Sequence, residues 1–113
     1  MARHLPYRAT TSTGNQFDFE FPLHDETVSA VTVSNLLNAL LATLDREIRL
    51  VGQVGNGDVL QALSMALAVR TRILPGDPAQ LDRLVHALLE TALAAPVTPA
   101  DGNLPPEESR GVH

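Results

Sequence analysis

The side chains that could do chemistry fall into a few short runs. Gly52-Gln53-Val54-Gly55-Asn56-Gly57-Asp58 has the glycine density of a phosphate cradle. Such a cradle follows a strand, and it carries a Lys-Ser/Thr pair or sits in a βαβ unit. Here a helical pattern precedes the glycines, the chain contains no lysine, and Asp58 would repel a phosphate. The run reads instead as a helix C′ glycine, a turn and an N-cap. His24-Asp25-Glu26 sets three metal-ligand types in a row, but adjacent residues rarely converge on one ion. His4, His24, His86 and His113 are scattered, with no second histidine at helical ligand spacing. There is no Gly-x-Ser-x-Gly, no cysteine, and no base beside Ser64 in sequence, so an activated nucleophile is not expected. The acids fall at caps, turns and wet faces: Asp58 and Asp77 as N-caps, Asp18 and Glu20 on the outer side of a strand. The expectation is a chain with no catalytic residues, no cofactor and no metal.

Two features point to contacts rather than catalysis. Arg70 and Arg72 flank Thr71 near a helix end, where they suit the helix dipole or an anionic head group. Gln61 would join them in the second case. Asn35 and Asn38 lie three apart beside a leucine stripe. Asparagine is a weak helix former, so these two are either solvated or fix the register of a helix seam.

These residues need elements to position them. Phe17-Asp18-Phe19-Glu20-Phe21 alternates with period two, the pattern of a half-buried strand, and Pro22 ends it or puts it at a sheet edge. Phe17, Phe19 and Phe21 make one apolar face. Residues 27–33 are rich in β-branched side chains and read two ways. They form a strand hairpinned to the first, or they hold the start of a helix capped by Ser29; the helix is slightly favoured. From Ser34 the helix is secure: Leu36, Leu37, Leu40, Leu41, Leu44, Ile48 and Val51 recur at helical spacing, and Gly52 closes it. A second helix, about Val59 to Leu74, is apolar nearly all round in its first half and reads as a buried spine. Three short helices of one chain rarely surround one of their own number, so this helix predicts a dimer or a partner. Asp77-Pro78-Ala79-Gln80 starts a third helix, with Leu81, Leu84, Val85, Leu88 and Leu89 as its stripe.

The predicted fold class is therefore all-α: a small three-helix domain with an extended or strand-like Phe-rich N-terminal arm. The alternative is α+β with an N-terminal β-hairpin. Residues 1–16 read as a flexible segment, 17–96 as a single helical domain, and 97–113 as a flexible tail containing Pro and acids.

The totals agree. The chain has 113 residues, thirteen acids against eight basic residues, and a net charge of −5. One domain is expected at this length. The acidity argues against nucleic acid, apolar runs too short for a span argue against membrane insertion, and residues 1–16 lack the apolar core of a secretory signal. Zero cysteines fits a reducing, cytoplasmic setting, and arginine for every lysine suggests a GC-rich bacterial genome.

The functional expectation is a non-enzymatic interaction module, a homodimer or a small accessory or regulatory subunit. It would associate through apolar helix faces. The contact residues would come from Phe17, Phe19, Phe21, Asn35, Asn38, Leu37, Leu41, Leu44, Leu63 and Leu67. The alternative is a helical bundle that binds a small apolar or amphipathic ligand through Arg70, Arg72 and Gln61.

Overall fold

A computed structural model describes residues 3–11 and 13–100 of the chain. In order these form β1 (Arg3–Thr10), β2 (Gln16–Leu23), α1 (Ala30–Val51), α2 (Asn56–Ile73), α3 (Pro78–Leu93) and β3 (Val97–Pro99). The strands make one antiparallel sheet in the order β1-β2-β3. The fold is therefore α+β, and the all-α expectation is corrected. The hairpin also differs from the one weighed in the sequence. Its second strand is the phenylalanine strand, and its first lies in residues 3–10, within the segment expected to be loosely ordered. Alone, β1 is short of large apolar groups. Paired with β2, its Leu5, Tyr7 and Ala9 stand opposite Phe21, Phe19 and Phe17, and cross-strand packing supplies what local propensity does not.

The structure divides into two compact units. The first holds described residues up to 30 and from 90 onward, and so contains the whole sheet. Gly14, at φ +88°, turns the hairpin, and its N–H donates to the Thr11 carbonyl at 3.0 Å. Leu5, Ala95 and Ala100 are buried here. Residues 97–99, expected as part of a tail, are β3. Residues 101–113, the rest of that expected tail, lie outside the described residues.

The second unit, Val31–Leu89, is helical. Residues 27–29 precede α1, so the helical reading of the ambiguous stretch holds from Ala30. Gly52 ends α1 at φ +95°, a left-handed conformation only glycine adopts freely, and its N–H reaches the Ile48 carbonyl at 3.0 Å. α2 starts earlier than expected. Gly55 occupies its N-cap without a side-chain hydrogen bond, and Asp58 lies in the first turn rather than capping it. A carboxylate there still suits the positive end of the helix dipole. Asp77 caps α3 as its sequence predicts, accepting from the Gln80 N–H at 3.1 Å.

Candidate protein-interaction surface

The sheet has one apolar and one polar face. Leu5, Tyr7 and Ala9 share a side with the three phenylalanines, all half-buried, and the Phe19 and Phe21 rings stack at 5.2 Å. On the other side Arg8 grips Asp18 through Nε and Nη2 at 2.7 and 2.9 Å. That bidentate bond lowers the Asp18 carboxyl pKa against an opposing desolvation. Arg3 Nη2 donates to the carbonyls of His24 and Thr27 and ties down the segment after β2. His24 Nδ1 accepts from the Glu26 N–H at 3.1 Å, so this ring stabilises a turn.

Both sheet edges are blunted. The Glu20 N–H donates to the Pro96 carbonyl and the Ala100 N–H to the Gln16 carbonyl, so the even-numbered residues of β2 bond toward β3. By antiparallel alternation the odd-numbered residues bond toward β1, and Pro6, opposite Glu20, turns its ring nitrogen to the open edge. Pro99, opposite Phe17, does the same on β3. Neither nitrogen carries a hydrogen, which protects an edge against strand addition. β2 itself is the middle strand, so Phe17, Phe19 and Phe21 cannot extend an edge.

The helical unit is different. Along α1, Leu37, Leu41, Leu44 and Ile48 form a half-buried stripe, while Leu36, Leu40, Asn35 and Asn38 are exposed. On α2 every residue from Leu60 to Arg70 is exposed. The expectation of a buried spine is thus corrected within one chain: from Leu60 on, the apolar first half of the helix stays exposed, and burial is reached only at Thr71. Leu60, Met65, Val69 and Ile73 are 58–63% exposed; Leu63 and Leu67 are 38% and 42%. The buried residue of α2 is Thr71, whose Oγ1 donates to the Leu67 carbonyl at 2.7 Å.

A groove of about 280 Å³ runs between α2 and α3, lined by Ser64, Leu67, Ala68, Thr71, Arg72, Asp82, Val85 and His86. Arg72 Nη1 donates to Asp82 Oδ1 at 2.7 Å. This bond, more than the charges themselves, raises the Arg72 pKa and lowers that of Asp82. The His86 ring bonds back to the Asp82 carbonyl at 2.7 Å through Nδ1. Of the three residues weighed for an anionic head group, Arg72 is in the groove and already paired, while Arg70 and Gln61 are exposed outside its lining. The space is at the small end for a ligand pocket.

Among the described residues no group of three or more His, Cys, Asp or Glu could hold a metal ion, and no helix is long and apolar enough to cross a membrane. No family model, no curated protein and no solved structure matches this chain. The surface features that sequence reasoning missed are the two edge prolines. Their role depends on which way each nitrogen faces, and no spacing in the sequence reveals that.

Proposed function

We propose that this chain is a non-enzymatic protein-interaction module that self-associates through the apolar faces of its helices, as a small accessory or regulatory subunit. One observation carries the reading: α2 is rich in large apolar side chains, and every residue from Leu60 to Arg70 is exposed. Full burial of a large aliphatic side chain is worth about 1.5–3 kcal/mol, so the exposed parts of Leu60, Met65, Val69 and Ile73 offer roughly 4–7 kcal/mol. Association costs about 4–15 kcal/mol in lost freedom and ordering. Four side chains reach the bottom of that range, and exposed Leu36, Leu40, Leu88 and Leu89 on α1 and α3 extend the surface. Large exposed apolar area is what interaction sites present.

Light scattering over a concentration series tests the reading. The expected result is a dimer that persists at low micromolar concentration and dissociates in Val69→Glu. A monomer that binds no hydrophobic dye would overturn it.

A further inference from the structure

The partner of α2 can be named more closely. Ser64, Leu67, Ala68, Thr71 and Arg72 line the groove toward α3 and define one face of the helix. The face turned away carries Val59, Ala62, Leu63, Ala66, Val69 and Ile73, with Arg70 at its border. Val59 is half-buried, and the other five apolar residues are exposed.

Their order is self-complementary. About Ala66, Leu63 mirrors Val69 and Val59 mirrors Ile73, with bulk at the ends and alanine at the centre. Spacing of three and four residues keeps them in one seam. A two-fold contact about Ala66 sets each residue against its mirror, so that apolar meets apolar at 59/73 and 63/69 and the two alanines allow close approach.

Charge sets the direction. Asp58 lies in the first turn of α2 and Arg70 in the last, where Arg72 is already held by Asp82 on the groove side. Parallel pairing would set like charges beside like and align the two helix dipoles. Antiparallel pairing brings the acidic end of each helix to the basic end of the other. Arg70 then comes opposite Ala62 of the second copy, whose small side chain leaves room for the arginine stem while its head reaches water.

We infer that α2 pairs antiparallel with α2 of a second copy of this chain, along the Val59–Ile73 seam and with the two Ala66 residues at the two-fold axis. This inference rests on the self-association reading and gives it a register.

The absence of native cysteine allows a direct test. Ala66→Cys, Ala62→Cys and Val69→Cys are made singly in the full chain, checked for helical content, and oxidised to disulfides, which form only where Cα atoms come within about 7 Å. Ala66→Cys is expected to yield a covalent dimer in most of the protein. Ala62→Cys is expected to stay uncrosslinked, because antiparallel pairing sets the two residues 62 about 12 Å apart along the helices. The double set Val59→Cys mixed with Ile73→Cys should crosslink to each other. Efficient self-crosslinking at 62 and 69 would mean a parallel pair and would overturn the inference. A dimer by scattering in which none of these positions crosslinks would overturn the α2 seam while leaving the interaction-module reading standing. A monomer by scattering would overturn the inference as well, and dye binding would then decide the broader reading.

Discussion

The Asp82 carboxylate takes its hydrogen bond from Arg72 at 2.7 Å, and that bond, against a smaller desolvation, holds its pKa below the ordinary aspartate range. The lowered pKa sets the sign of its pH dependence. The contact contributes fully above about pH 4, the ordinary aspartate value, and is lost as pH falls through the lowered one. Both side chains are half exposed, at 62% and 44%, so solvent screens the pair and the effect on stability is small. Carboxyl carbon NMR across an acid titration should show Asp82 titrating late, and Arg72→Gln should move its midpoint up. An unchanged midpoint would mean the bond does not form in solution. Leu5 is a residue of a different kind. At 8% exposure, in a sheet with few other buried side chains, its replacement by alanine is expected to destabilise the chain by about 2–5 kcal/mol in urea unfolding.

At the scale of elements, boundaries follow from backbone chemistry. α1 ends where Gly52 turns left-handed, and any L-residue with a Cβ is strained there. Gly52→Ala should cost about 1–2 kcal/mol, read from the thermal loss of the helical signal. No atom would crowd the new methyl, so a larger loss would point to a cause other than φ. β1 is guarded by Pro6 on its open side. Pro6→Val restores a donor and raises β propensity, and it should increase aggregation on mild heating without weakening the hairpin. An unchanged aggregation rate would show that the edge is protected by something other than the proline.

At the scale of the molecule, two tendencies oppose each other. Each copy carries a net charge of −5, so two copies repel, while the helical unit holds large apolar area that water penalises. Raising the salt from about 10 mM to 150 mM shortens the screening length from about 30 Å to about 8 Å. The dimer dissociation constant in sedimentation experiments should therefore fall with salt. A rise would mean that ion pairs rather than apolar burial hold the contact.

The three helices, their approximate ends and the Asp77 cap are legible in residue spacing alone. Periodicity and capping act over a few residues and are written locally. The first half of α2 likewise reads as apolar nearly all round, which is a property of composition along one turn after another. The sheet, by contrast, exists only through contacts between distant segments. β1 has too little apolar area to declare itself, and its register exists only against the phenylalanines of β2. That Leu60 to Arg70 of α2 stand exposed is visible only in three dimensions. An all-apolar helix has the same sequence whether its own chain surrounds it or leaves it to another, and cover is a matter of what lies across space rather than along the chain.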